Sequence, residues 1–490
     1  MKDLRSLRKS IEIILALVII GETLAFGGVQ PIAYSLMEIV ILALVLFLLF
    51  KQCLAGQIQL PLPIWPILFG VFVAFQLVPL PRSWIAHLDP VRLLPSGLAT
   101  LEHQRSAWIP ISIYPHATMV MLFKFMAYLG AFVLAAYVFD SAKRSSLLVR
   151  VLIFLGVFEA AYGMVQYLAN WQQIFWMSKV YYTSEATGTY INHNHFAGFI
   201  ELTFPFVLAS VFYYFQAWQD SRRRGRTHGG HAAPSSAHIQ ALFYSFLLIV
   251  AVVAVISSRS RAGILATVFS IASLAILAQF KTRRKAWTVG LGLFLLIAIG
   301  YGLWIGLNPV ISRFEAFKGG AEYLESEGRL SLWKSTLAMI HNYPITGMGL
   351  GTYTSGLRPY QTYLVDFTVT HAHGDYLELT AGTGLIGACL LFVPIFALLI
   401  LMIRSFLTDP RRFRPAVTLG CIGATLALVI HSVADFNLHI PANALVFAVV
   451  LGVGYKTVLE HKADQSIPAA AVPAAVTRPT HRQAHTSHAR

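Results

Sequence analysis

The sequence predicts an all-α, polytopic membrane protein of about twelve transmembrane helices, with a large outer loop that contains surface helices. Three observations lead there. Of 490 residues, 56% are hydrophobic and only 12% charged, about half the charged share of a soluble chain, and the mean hydropathy is +0.64. The apolar residues also fall in blocks of roughly 17–25, the length that carries a helix across about 30 Å of hydrocarbon. Finally, the basic residues are segregated. Of 37 Lys and Arg, 25 lie in "KDLRSLRK", Lys51, "AKRSSLLVR", "SRRRGR", "KTRRK", "RSFLTDPRRFR" and the C-terminal tail, the segments on one side if the N-terminus is inside.

Taken in order, the spans fall near 11–28, 31–50, 62–80, 118–139, 149–168, 196–217, 241–257, 262–280, 287–306, 377–402, 415–436 and 440–456. The basic-inside bias accounts for the net charge of +15 without a nucleic-acid partner; membrane lipids are the expected surroundings. Most of the nine tryptophans lie in loops or near span ends, as an interfacial belt requires. Cys53, Cys389 and Cys421, two of them inside spans, give no disulfide framework. A basic stretch followed by an apolar one at the N-terminus reads as a first transmembrane helix, because so many spans follow.

Outer loops are expected at 81–117, 169–195, 257–263 and 307–376. In the largest, "GRLSLWKSTLAMIHNYP" reads as a surface helix with Trp333, Leu337 and Ile340 at i, i+4, i+7 and Pro344 ending it. The glycines of "ITGMGLGTY" read as turn-formers, since no strand precedes them as a nucleotide loop requires. The inner "SRRRGRTHGGHAAPSSAH" and the tail read as disordered. The domain reading is one membrane unit over 1–456, with 307–376 as the outer loop and 457–490 as a disordered cytoplasmic tail.

Titratable residues cluster on the outer side. "SSRSRAG" sets Arg259 and Arg261 at a span edge, where guanidiniums either anchor at the interface or meet an anion. Arg329 opens the surface helix, a place where a cation needs a further reason such as a shared oxyanion. Guanidiniums grip a diphosphate bidentately. In "THAHGDYLE", Asp375 and Glu378 fit a capping box opening the next span. His371 and His373, two apart in a non-helical approach, are expected to point different ways, with one facing a site; an imidazole accepts a proton near neutral pH. In "HSVADFNLHIPAN", His431 and Asp435 stand at i, i+4, either as a structural pair or with the acid orienting a working imidazole. Asn192, Asn194 and His195 of "NHNHFAG" share that side. The H-x-H pair plus a distant His or Asp can supply three zinc ligands, but recognisable zinc spacing is missing, and no metal is expected.

In order along about 180–455, "GTYINHNHFAGFIEL", "SSRSRAGILA", "GRLSLWKSTLAMIHNYPITGMGLGTY", "AHGDYLELTAGTGLIG" and "HSVADFNLHIPANALVFAVVLG" resemble the O-antigen ligase/O-antigen polymerase (Wzy-type) superfamily of bacterial membrane glycosyltransferases. The resemblance implies a glycan donor on undecaprenyl diphosphate, a glycan or lipid A-core acceptor, a site on the periplasmic face of the inner membrane, and no cofactor, metal or nucleotide sugar. Carried over residue by residue, it implies that Arg261 and Arg329 hold the diphosphate and that His373 is the key histidine. The usual pattern there looks like A-H-N-D/S-Y-L, so Gly374 departs from it. The neighbouring Arg259, Asn194, His195, His371, Asp375, His431 and Asp435 are the expected substrate-binding set.

The chemistry of the residues agrees with that expectation. A diphosphate neutralised by cations leaves without a protonating acid, so one base on the acceptor hydroxyl suffices, worth about 10²–10⁴-fold, and charge stabilisation contributes more. Direct displacement inverts the anomeric carbon. A ligase, a polymerase and a protein O-oligosaccharyltransferase share these requirements. A lipid or polysaccharide transporter fits less well, because carriers place their sites near the bilayer midplane between repeats. A zinc-dependent periplasmic enzyme is separated by its sensitivity to a chelator.

Overall fold

A computed structural model describes residues 2–56, 58–88, 106–139, 142–227, 236–284, 329–361 and 368–466, with isolated positions between 287 and 292. Its helices are α1 (Lys2–Leu24), α2 (Pro31–Leu54), α3 (Ile64–Phe75), α4 (Arg82–Leu88), α5 (Pro115–Val138), α6 (Ala142–Leu168), α7 (His193–Thr227), α8 (Ser236–Ser257), α9 (Arg261–Thr282), α10 (Arg329–Asn342), α11 (Tyr353–Leu357), α12 (Asp375–Thr408), α13 (Phe413–His431) and α14 (Pro441–Gln465). Sheet among the described residues is limited to two antiparallel ribbons. One pairs β1 (Pro79–Pro81) with β2 (Trp108–Pro110), the other β3 (Gln173–Ile174) with β4 (Met177–Ser178). The fold is all-α, and among the described residues nine helices, α2, α5–α9 and α12–α14, are long and apolar enough to cross a membrane.

Of the other three expected spans, 11–28 is covered for the most part by α1. The expected 62–80 shortens to the twelve residues of α3, about 18 Å of helix. Pro79 and Pro81 lie in β1, and proline cannot continue a helix interior. The expected 287–306 lies outside the described residues apart from isolated positions.

The centre of the bundle is α7, α13 and α14. Of their spanning stretches 78%, 78% and 83% is buried, against 17% for α2. One span departs from its expected continuous form. Gly384, inside α12, has φ 62° and ψ −173°, which splits that helix in two. The segment "PITGMGL" runs along the break: the amides of Leu385 and Met348 donate to the carbonyls of Pro344 and Ala381, at 2.8 and 3.0 Å. Gly347, at φ 68°, lies so close that a Cβ would meet the Gly382 backbone at 2.4 Å. The glycines of this loop are therefore turn-formers, as expected.

The surface helix is α10, but its packed face is not the expected stripe. Leu332, Ser335, Thr336 and Met339 are buried, while Leu337 is 54% exposed. Polar hooks fix that orientation: Ser335 Oγ donates to Tyr360 O at 2.9 Å, Thr336 Oγ1 meets the Tyr353 hydroxyl at 2.7 Å, and Trp333 Nε1 donates to Ala372 O at 3.1 Å. Two segments read as disordered are partly helical. The helix α7 continues through "SRRRGRT" to Thr227. The helix α14 runs nine residues past the expected boundary at 456, to Gln465, because His461 and Asp464 take part in ion pairs at that end. Residues 467–490 lie outside the described residues.

Candidate active site

The segments holding the predicted residues meet at one end of the bundle. The turn between α13 and α14 places Phe436 among three imidazoles. The His371 ring stacks on it with centroids 4.1 Å apart, while His195 and His373 meet it edge-on at 4.7 and 5.1 Å. His371 and His373 share this phenylalanine, one on its face and one at its edge, while their Nδ1 atoms turn to different acids, Glu378 and Asp435. His373 has φ 49°, a left-handed conformation that histidine enters more readily than most residues. Gly374 follows in extended conformation, and a Cβ there would lie 3.1 Å from the Val433 carbonyl.

Beside this ring cluster lies Asp435, 1% exposed. Its carboxylate is 3.7 Å from His431 Nε2, 3.8 Å from His373 Nδ1 and 3.9 Å from His195 Nε2, each longer than a hydrogen bond. Burial by itself raises a carboxylic acid's pKa; the imidazoles of His373, His195 and His431 outweigh it and hold Asp435 below the usual carboxylate range. On its other nitrogen, His431 Nδ1 reaches the buried Glu201 of α7 at 3.0 Å. The i, i+4 pair of His431 and Asp435 is therefore part of a longer chain, Glu201–His431–Asp435–His373.

Asp375 and Glu378 do not form the expected capping box. The N-cap of α12 is Gly374, which has no side chain to offer. Asp375 works at long range instead, and Glu378 holds both the segment just before it and the distant His439. Asp375 Oδ2 accepts from Ser432 Oγ at 2.7 Å and Leu438 N at 3.1 Å, and its Oδ1 meets His439 Nδ1 at 3.0 Å. Glu378 Oε2 accepts from the Ala372 amide at 2.8 Å, while Oε1 lies 3.0 Å from His371 Nδ1 and 3.1 Å from His439 Nε2. With both acids ionised, both His439 nitrogens donate, which makes that ring an imidazolium. Burial opposes its charge, but Glu378 and Asp375 prevail and raise its pKa to about 9.

The arginine segments reach the same end. Ser260 caps α9, its Oγ accepting from Gly263 N, and Gly263 lies against Ala197 and Glu201, where a Cβ would come within 2.9 Å of the acid. Arg261, the first residue of α9, is two residues before this glycine. His193 Nδ1 lies 2.6 Å from the Ser258 carbonyl and joins the start of α7 to the same turn. Asn194, in the first turn of α7, donates its amide to Asn192 Oδ1 at 2.8 Å. Arg259, with φ 56°, reaches Ser184 at 3.4 Å and Glu185 at 3.9 Å. Arg329 opens α10, one turn before the Trp333 that holds Ala372.

Sequence reasoning left Glu201, Phe436 and His439 unassigned. Glu201 carried a signal: a lone carboxylate in an apolar span is expensive and marks a partner. Nothing local marked Phe436 or His439, whose partners stand far away in the chain.

A multi-pass membrane bundle with a buried acid–imidazole network at one end is the class this geometry defines. Residues 246–392, less than a third of the chain, match the family model described as O-antigen ligase, which supports its resemblance to the O-antigen ligase/polymerase superfamily. The matched stretch holds Arg259, Arg261, Arg329, His371, His373, Asp375 and Glu378, whereas His195, Glu201, His431, Asp435 and His439 lie outside it. No curated protein matches the chain.

Proposed function

We propose that this protein is a bacterial inner-membrane glycosyltransferase that moves a glycan from undecaprenyl diphosphate to an acceptor hydroxyl at the periplasmic face, with inversion and without metal in the chemical step. His373 takes the acceptor proton. Arg261 and Arg329 neutralise the departing diphosphate. The acceptor is a growing glycan or lipid A-core; protein O-glycosylation has the same chemical needs.

The observation that carries this reading is the setting of His373. Its Nδ1 lies 3.8 Å from the buried Asp435, and its side chain is 36% exposed, so the opposite edge, with Nε2, is directed away from the acid and available to a hydroxyl. A carboxylate behind an imidazole fixes the tautomer and stabilises the cation formed as it takes a proton. Such contacts are often long before substrate binds and tighten in the complex. Asp435, His195 and His431 then position the base, and Asp375 and Glu378 hold its loop.

The test is transfer by purified protein from a polyprenyl-diphosphate glycan, with the product's anomeric configuration read by NMR and EDTA present in a parallel reaction. An inverted product formed equally with EDTA supports the reading; retention, or loss of transfer with EDTA, refutes it. Deleting the gene in its bacterium then separates the acceptors: long glycan left on the lipid carrier marks a ligase, single repeat units a polymerase.

A further inference from the structure

We infer that His371, Glu378 and His439 form a binding site for a divalent transition metal of the zinc class, separate from the base His373. The ligand atoms of these three residues all lie within 4.8 Å of one another. Glu378 Oε1 is 3.0 Å from His371 Nδ1 and 3.1 Å from His439 Nε2. A tetrahedral ion with bonds of about 2.1 Å holds its donors roughly 3.4 Å apart, so the two pairs that share Glu378 Oε1 spread by a few tenths of an ångström, while the two imidazoles, within 4.8 Å of each other, close on the ion by side-chain rotation. Two imidazoles and one carboxylate select zinc, cobalt or nickel over calcium and magnesium, which take oxygen donors.

The surroundings aim each donor. Asp375 Oδ1 sits 3.0 Å from His439 Nδ1, which leaves Nε2 as the metal-facing nitrogen; a carboxylate behind a ligating histidine is the usual support of such sites. The Ala372 amide occupies Glu378 Oε2 at 2.8 Å and leaves Oε1 to the ion. Phe436, stacked on His371, fixes that ring. His371 is 29% exposed, which provides an entry path. His373 stands outside this set, its Nδ1 turned to Asp435. The metal is a clasp between the 371–378 and 439 segments. When it is stripped, His439 still spans Asp375 at 3.0 Å and Glu378 at 3.1 Å and keeps the loop in place, so the clasp is compatible with transfer in EDTA.

Cobalt(II) titrated into EDTA-stripped, detergent-solubilised full-length protein tests this with no glycan present, so its outcome is independent of any transfer assay. We expect one equivalent to give the visible absorption of a low-coordinate nitrogen–oxygen site. His371→Ala should weaken that binding on the order of 100-fold or more, and Asp375→Asn by about 10–100-fold, while His373→Ala leaves it unchanged. His371→Cys should restore binding and add a thiolate-to-cobalt charge-transfer band, a signature that a misfolded protein does not give. Absence of the visible band in the wild type, or a band of equal strength in His371→Ala from the chain's other histidines, overturns the assignment.

Discussion

Both ends of α12 hold buried carboxylate, three acids at its start and Asp409 at its far end, yet these are met mainly by different cations. At its start, Asp375 and Glu378 are met by His439 and His371, and the nearby Asp435 by three more imidazoles. At its far end, Asp409 is met by the Arg414 guanidinium, and Arg414 Nη1 continues to Asp464 at 2.7 Å. Lys281 Nζ donates there to the carbonyls of Phe406 at 2.5 Å and Asp409 at 2.8 Å, a cation on the last carbonyls of a helix. Arg412 pairs with Asp220 beside it. A guanidinium keeps its charge at every physiological pH, whereas an imidazole gains and loses a proton in that range. The arginine end is a permanent fastening. The histidine end holds the same kind of acids with groups that can also do proton chemistry.

The sharpest way to break this contrast is to delete one cation from each end. His373→Ala should reduce transfer by about 10²–10⁴-fold while the variant melts with the wild type, because its ring is partly exposed and its Asp435 contact is longer than a hydrogen bond. Wild-type turnover by that variant would remove the base. Arg414→Ala should do the reverse. It strands a 1%-exposed Asp409, and breaking a buried pair from one side costs about 3–5 kcal/mol, read as a lowered unfolding midpoint with transfer per folded molecule preserved. If Arg414→Ala lost activity at full stability, the division of labour between the ends would fail.

Acid sharpens the same comparison with a smaller effect. Burial pushes Asp409 up, but Arg414 and the Arg411 amide bring its pKa below the usual carboxylate value. A depressed acid contributes stability that is complete above its unfolded pKa, about 3.9, and is lost as pH falls through the folded value. Wild-type stability should therefore stay level in this respect from neutral pH down to about pH 4 and drop below it. Asp409→Asn should start lower and show a shallower acid decline. Denaturant melts from pH 3 to 7 measure both; an unchanged acid limb would show that Asp409 is not the titrating group.

How much of this was legible follows from where each signal resides. Spans such as α8 and α13 announce themselves because runs of about twenty mostly apolar residues have no other use. The break in α12 does not, since Gly382, Thr383 and Gly384 only show their purpose once residues 344–349 lie against them. His373, His431 and Asp435 could be picked out because titratable groups are scarce in this chain. The Asp375–Glu378 pattern misled: its spacing matches a local capping box, while its real partners, Ser432, Leu438 and His439, are 57, 63 and 64 residues away. Such pairings are set by how α12, α13 and α14 pack, and no local rule contains them. For the same reason His439 went unassigned although the motif that carries it had been singled out.

The smallest expected effect separates the three arginines of the histidine end. Arg259 reaches Glu185 only at 3.9 Å, with its side chain 19% exposed, and lies 5.7 Å over the Tyr167 ring. Lysine keeps the charge and both long-range contacts, and a partly exposed ion pair is worth about 0–1 kcal/mol. Arg259→Lys should thus change donor use by less than about fivefold at 298 K, the factor that 1 kcal/mol represents. Arg261→Ala and Arg329→Ala remove whole charges from the first turns of α9 and α10, the helix starts placed against Glu201 and behind Trp333, and should raise the apparent KM for the diphosphate donor far more. The comparison is made with donors bearing one or two phosphates. If the Ala variants lose only their preference for the diphosphate, the guanidiniums read the anion; if all three variants decline equally and mildly on both donors, these arginines merely anchor the bundle, and the contrast between its ends reduces to the histidines.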